Sequence, residues 1–413
     1  MKVLKRLTLI QKIIIGIIIG AILGMTVPSW TAIGILGDLF INALKAIAPL
    51  LVFILIINSL AQQEEGQKTH MKTVIVLYLI ATFVAALTAV FAAYLFPVKI
   101  VLPDVAVKET APQSLAKVLT DILNGAVMNP VEAITEGSYL ALLFWGCLFG
   151  FTLRYAGSRT KEVLRDLTNG VQNVVQLIIQ FVPFGIVGLV FRSVAEIGVK
   201  GLVDYGRLIF LVVGTMFFVG LVVYPLMTFI LLGQNPYPLN LYCLKESGIP
   251  AFFTRSSAVN IPINMELCKK LGLSEESYSV SIPLGATANS GGAAITISLM
   301  TLATAHTLGI HVPFFLAFLL CLLSALASTG VSGIAGGSLL LIPLACSLFN
   351  ISNDIAMQVV GVGFIIGVIQ DSVETALNSA SDLVFTAVAE FYDLKKAGHE
   401  VDISQRVRQA KTK

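Results

Sequence analysis

Five residues toward the C-terminal end have the types and spacing needed to hold ions: Asp371, Glu374, Thr375, Asn378 and Asp382. Counted from Asp371, the other four follow after three, four, seven and eleven residues. At about 100° per residue they fall on one narrow stripe of an α-helix. Val373, Ala376, Leu377, Ala380 and Leu383 lie between them, so the remaining faces suit lipid or packed protein. The helix opens on an apolar run, Phe364-Ile365-Ile366-Gly367-Val368-Ile369. On a soluble protein such a stripe is a solvated face. At membrane depth, three carboxylates and an amide are costly without partners or water, and they mark an ion or substrate pathway.

The rest of the chain selects the membrane reading. Of its 413 residues 56% are hydrophobic and only 12% charged, about half the charge of an average soluble domain. Apolar runs cover 13–24, 48–60, 73–97, 171–196, 208–233, 313–327 and 355–369, several of them near the roughly 17–25 residues that span a bilayer. The fold class is therefore an all-α polytopic membrane protein. The net charge of +3 is no nucleic-acid signature, because the basic residues sit between the apolar runs. Five cysteines without paired spacing and four scattered histidines argue against a disulfide framework or a metal cluster. With no nucleophile–His–acid set and no phosphate loop, the sequence does not read as an enzyme.

Basic residues set the orientation. Lys2, Lys5, Arg6 and Lys12 precede the first apolar run and place the N-terminus in the cytoplasm. No convincing cleavage site follows, so the run reads as an uncleaved first span. Gln62–Lys72 and Arg154–Arg165 should also be cytoplasmic, and Lys99–Gln113 external. Residues 393–413 read as a cytoplasmic tail without an assignable motif, which puts the C-terminus on the same side.

After Gly233 the pattern changes. An interrupted segment, 239–270, carries Thr254-Arg255-Ser256-Ser257 at its middle; a helix, 278–308, is broken at Asn289-Ser290-Gly291-Gly292. A second interrupted segment, 313–349, turns at the Gly/Ser-rich stretch from Ser328 to Ser338, and the polar helix 354–392 follows. Each interrupted segment reads as a re-entrant hairpin, since non-helical backbone at membrane depth must line a cavity or be buried in protein. Hairpin and polar helix thus occur twice, as inverted repeats, the pattern that points to a secondary transporter's binding site.

The chemistry expected there has two parts. Gly285 and Asn289 at the broken helix offer carbonyl oxygens, Asp382 a full negative charge and Asn378 an amide one turn earlier. Mostly neutral oxygens with one carboxylate suit Na⁺ better than a divalent metal. Backbone N–H groups at the hairpin tips, with Ser256 and Ser257, suit a substrate carboxylate. Asp371, buried and otherwise uncompensated, would pair with a substrate ammonium group.

These residues carry a resemblance to the dicarboxylate/amino acid:cation symporter family, which has the glutamate-transporter fold. It spans nearly the whole chain. Its specific parts are Thr254–Ser257, Pro283-Leu284-Gly285-Ala286-Thr287 before the Asn289 break, Gly330–Gly337, and Asp371, Thr375, Asn378 and Asp382. The resemblance implies about eight transmembrane helices plus the two hairpins, moving as an elevator in a homotrimer set in lipid. It places scaffold and trimerisation helices, with part of the mobile domain, in 1–238 and the core transport domain in 239–392. It makes the second hairpin an outer gate, and adds Val331, Gly333, Gly336, Thr375 and Asn378 to the substrate contacts. Na⁺ is the expected co-transported ion.

Two departures refine the expectation. Glu374 stands where members carrying acidic substrates have an arginine, and a carboxylate there would repel aspartate but accept a hydrogen bond from a hydroxyl. The chain is thus most similar to the bacterial sodium-coupled serine/threonine branch, at the cytoplasmic membrane. The alternative is that Glu374 pairs with Arg255 and pocket size sets selectivity. The second departure is Gly291, where the family has an aspartate that helps hold an additional Na⁺; Tyr78 and Thr82 match that site's pattern but Ala81 does not. Fewer coupled Na⁺ are expected than in glutamate transporters. Three other readings stay open: a symporter of acidic amino acids or C4-dicarboxylates, a passive channel, and a proton-coupled carrier using Glu374 or Asp371.

Overall fold

The computed structural model describes residues 9–62, 70–100, 102, 127–197, 199–329 and 336–412. Among them every regular element is helical. The first seven helices are α1 (Leu9–Thr26), α2 (Ile35–Ala61), α3 (His70–Leu95), α4 (Pro130–Glu136), α5 (Tyr139–Leu153), α6 (Ser158–Gln180) and α7 (Val182–Ile197). Then come α8 (Val199–Phe218), α9 (Tyr224–Leu232), α10 (Tyr237–Cys243), α11 (Ile249–Thr254), α12 (Ser257–Leu271) and α13 (Glu275–Ala288). The last are α14 (Gly291–Thr307), α15 (Phe314–Ser328), α16 (Ile342–Ser347), α17 (Asn353–Lys396) and α18 (Ile403–Thr412).

Among the described residues four stretches are long and apolar enough to cross a membrane: Thr31–Asn58, Lys72–Leu95, Tyr205–Leu232 and Asn353–Lys396. Ser158–Gln180 and Val182–Ala195, bent by 54° at the break between them, have the length and composition of a fifth when taken together. Outward-facing Ile14, Ile18, Ile22, Phe210, Phe217 and Ile230 have the character of a lipid-facing surface.

Two sets of helices pack internally. In the first, α1, α2 and α5 to α7 lie against one another. Gly16, Gly20 and Gly24 turn one face of α1 to α7 so closely that a β-carbon there would sit 2.7, 2.7 and 2.8 Å from the carbonyl oxygens of Pro183, Val187 and Phe191. No side chain fits at that separation. Gly20→Val is therefore expected to force the helices apart at about 1–3 kcal/mol. It should lower the melting temperature of the detergent-solubilised protein by several degrees; an unchanged melting temperature would show that α1 is not clamped.

In the second set, α3 packs along α13, α14, α15 and α17, and α17 is the hub. Its 44 residues extend about 66 Å at 1.5 Å per residue. Ser352 caps its start by accepting from Ile355 N–H at 3.4 Å, with Asp354 in the first turn and Lys395 and Lys396 in the last. Those charges complement the helix dipole. Between the sets, Lys45 of α2 pairs with Asp354 of α17, and Phe40 meets Phe364 edge-on with ring centroids 5.1 Å apart.

Three breaks interrupt the second set. The first follows α11: Arg255 adopts the left-handed region (φ 52°), and Ser256 then caps α12. The chain folds back there, since Asn260 Nδ2 of α12 donates to Ser247 O and Oγ at 3.2 and 3.1 Å in the π-helical turn Leu244–Gly248. The second break lies at Asn289 and Ser290, between α13 and α14. The third follows α15; the described chain resumes at Gly336 (φ 71°) and enters a 3₁₀ turn, Gly337–Leu341, before α16. Gly336 can take this conformation without strain, and a β-carbon there would also strike the Phe364 ring at 2.8 Å.

The stretch read as a tail without an assignable motif contains a docked helix. Residues 403–412 form α18, which buries Ile403, Val407 and Ala410 against α10 and α12. Gln234 donates to Val401 O and accepts from Ile403 N–H, and Arg406 donates to Gly272 O at 3.3 Å. Spacings of four and three between the apolar residues are those of a one-sided helix, and they stand in the sequence.

Candidate functional site

The polar stripe of α17 is buried. Gln370, Asp371, Glu374, Thr375, Asn378 and Asp382 are all less than a tenth exposed. They face the three breaks, so each carboxylate must be matched by partners from elsewhere in the chain.

Asp382 lies against the Asn289 break. Asn289 Nδ2 donates to Asp382 Oδ1 at 2.9 Å and to Ser381 Oγ at 2.7 Å, leaving Asn289 Oδ1 buried without a partner. Gly285 is adjacent, since a β-carbon there would lie 2.8 Å from Asp382 Oδ1 and 2.7 Å from Tyr78 Oη. Gly285 O accepts from Asn289 N–H at 2.9 Å, closing the last turn of α13. Asn378 Oδ1 accepts from Gly292 N–H at 2.7 Å, so it ties α17 to the start of α14. Tyr78 Oη stands within 2.9–3.2 Å of Thr386 Oγ1, Asp382 O and Ser281 O. Among the described residues no basic side chain pairs with Asp382. A buried carboxylate without a counter-charge, next to an orphaned amide oxygen, has the composition of a small monovalent cation site.

Asp371 and Glu374 are handled in opposite ways. Arg255, at the first break, donates to Asp371 Oδ2 from Nε at 2.7 Å and Nη2 at 2.6 Å. Gly336 N–H, at the third break, donates to Oδ1 at 3.1 Å. One carboxylate thus fastens the first and third breaks to α17. Among the described residues Glu374 has no basic partner. Its Oε2 accepts from Thr296 Oγ1 at 2.8 Å, from Ser338 Oγ at 2.9 Å and from Gln370 Nε2.

The comparisons with known proteins bear on this arrangement. The sequence profile of the sodium:dicarboxylate symporter family matches residues 9–391. The chain belongs to that family. It is 61% identical over 407 residues to a protein of Lacticaseibacillus paracasei named serine/threonine transporter SstT, covering 98% of this chain and 94% of that one. A protein of the same name from Enterococcus faecalis is 60% identical over 402 residues, covering 97% and 96%. Another, from Streptococcus thermophilus, is 55% identical over 393 residues, covering 95% and 98%.

Against this family background, the structure brings most of the expected residues together. Gly285, Asn289, Asn378 and Asp382 meet at the second break. Ser256 and Ser257 stand at the first break beside Arg255, and Gly336 at the third; Val331 and Gly333 lie outside the described residues. Thr375 does not face an open space with its hydroxyl; it donates to Asp371 O of its own helix at 2.8 Å. One expectation changes and one alternative falls away: Asp371 is not uncompensated, and the partner of Arg255 is Asp371 rather than Glu374. The physical reason is reach: the arginine at the tip meets the carboxylate one turn nearer the start of α17, while neutral donors from α14 and the turn after Gly336 surround Glu374.

Sequence reasoning missed Thr296, Ser338 and Gln370. Gln370 had a signal, a polar residue closing an apolar run four positions before Glu374, the spacing at which helix side chains meet. Thr296 and Ser338 had none, because they come from other helices.

Proposed function

We propose that the chain is a sodium-coupled secondary active symporter that imports L-serine and L-threonine across the bacterial cytoplasmic membrane, and not an enzyme. Identity of 55–61% to proteins named serine/threonine transporters, over nearly the full length of both chains, carries this reading. The site agrees with it. Glu374 is a carboxylate among neutral donors, able to accept from a substrate hydroxyl and to repel a substrate carboxylate.

In this proposal Na⁺ is cargo, held by Asp382 with the Gly285, Asn289 and Asn378 oxygens. The amino acid lies between the tips, its carboxylate on the N–H groups and hydroxyls around Ser256 and Ser257 and on the Val331–Gly336 segment. Its ammonium group shares Asp371 with Arg255, its side chain faces Glu374, and Thr375 and Asn378 complete the pocket. The two interrupted segments act as re-entrant hairpins alongside eight spans, in a trimer with both termini cytoplasmic. Helices α3 and α8–α17 slide as an elevator past α1, α2 and α4–α7, and the second hairpin is the outer gate. Support for this division comes from the two internally packed sets of helices.

The test is serine binding to the purified protein by calorimetry at increasing Na⁺. Coupled sites influence each other reciprocally, so serine affinity should rise with Na⁺, and not with K⁺ or choline. Threonine should displace serine while aspartate and succinate do not. Displacement by aspartate would return the chain to the acidic-substrate group.

A further inference from the structure

The three donors around Glu374 are arranged asymmetrically, and the asymmetry has a consequence for selectivity. Thr296 of α14, Ser338 of the turn after Gly336, and Gln370 of α17 all reach Oε2. Among the described residues none donates to Oε1. The Gln370 amide is fixed by what it touches. Nε2 donates to Thr296 Oγ1 at 2.8 Å as well as to Glu374, and the reversed amide would set its carbonyl against the carboxylate. Gln370 Oε1 is consequently buried without a partner, in a residue with no exposed surface. Thr296 is oriented in turn. Because its oxygen accepts from Gln370, its own proton is left for Glu374 Oε2 or for Gly292 O at 3.1 Å.

The result is a pair of acceptor oxygens, Glu374 Oε1 and Gln370 Oε1, one helical turn apart on α17. Neither accepts from a donor among the described residues, and Gln370 Oε1, being buried, calls for one. Asp371 cannot play this part, since both its oxygens are taken by Arg255 and Gly336.

We propose that Gln370 and Thr296 are positioning residues for hydroxyl selectivity: they hold Glu374 by Oε2, so that Oε1 and Gln370 Oε1 are left to accept the hydroxyl proton of the bound amino acid. This rests on the reading of the chain as a carrier of hydroxyl amino acids. An analogue lacking the hydroxyl withdraws the one proton those two acceptors share, which is how a polar pocket discriminates.

The test compares L-serine with L-alanine, which lacks only the hydroxyl, as competitors of Na⁺-driven uptake of labelled L-serine into proteoliposomes. Thr296→Val keeps the shape and removes the hydroxyl, Thr296→Ser keeps the hydroxyl, and Gln370→Leu removes the amide. Thr296→Val and Gln370→Leu should each lower the preference for serine over alanine by about tenfold, the effect of one lost hydrogen bond to a charged group. With serine held at the same multiple of each protein's own KM, the Na⁺ concentration for half-maximal uptake should not move, and Thr296→Ser should keep the wild-type preference. Where a variant transports too slowly, calorimetric binding of both amino acids reads the same ratio. An unchanged ratio, or equal weakening of serine and alanine, would overturn the proposal. A wild-type protein that does not distinguish serine from alanine would instead contradict the role given to Glu374 itself.

Discussion

Replacing Asp382 with alanine is expected to reduce Na⁺-driven serine uptake at least a hundredfold. Asp382 is 1% exposed and supplies the only full charge among the residues gathered at the Asn289 break. Truncating it strips the proposed cation of its counter-charge and leaves the Asn289 amide with Ser381 alone. Losing one partner of a buried charge pair costs about 3–5 kcal/mol, a factor of hundreds or more in affinity. Raising external Na⁺ should not restore the rate. Ser381→Ala is the matched control: it removes a neutral neighbour of the same amide, and its effect should stay within about tenfold. Uptake by Asp382→Ala within tenfold of wild type would show that the cation binds elsewhere.

Alanine at Asp371 has the second largest expected effect, for a different reason. The carboxylate fastens two tips at once, through Arg255 and through Gly336 N–H. Its loss leaves an arginine whose side chain is only 10% exposed without a partner, a cost of about 3–5 kcal/mol. Serine uptake should fall below detection. Removing Arg255 as well should recover part of the folded stability, because the stranded charge goes with it. In a double-mutant cycle on melting temperature, the pair Arg255→Ala and Asp371→Ala should therefore be milder than the sum of the singles. Additive effects would mean that the two side chains do not depend on each other, and that the closed tips are held by other contacts.

The stripe on α17 is legible in the sequence because one helix supplies it and spacing alone puts its members on one face. The breaks are legible for a related reason: Ser256-Ser257, Asn289-Ser290 and Gly336-Gly337 are poor helix continuers set in apolar runs. What spacing does not reveal is partnership across the chain. Arg255 and Asp371 are 116 residues apart in sequence, and nothing local favours that pairing over Arg255 with Glu374. The donors of Glu374 come from α14, α17 and the turn after Gly336, so only the folded arrangement brings them to one oxygen. The docked helix α18 is an intermediate case. Ile403, Val407 and Ala410 have helical spacing, but in so short and basic a stretch the pattern gains meaning only from the apolar surface of α10 and α12 beneath it.

Sodium coupling is tested most directly by accumulation of labelled L-serine in proteoliposomes under an inward Na⁺ gradient, against a matched pH gradient without Na⁺. The cation site proposed at Asp382 predicts concentration of serine above the external level with Na⁺, and none with the pH gradient alone. Accumulation under the pH gradient without Na⁺ would contradict sodium coupling and make the chain a proton-coupled carrier.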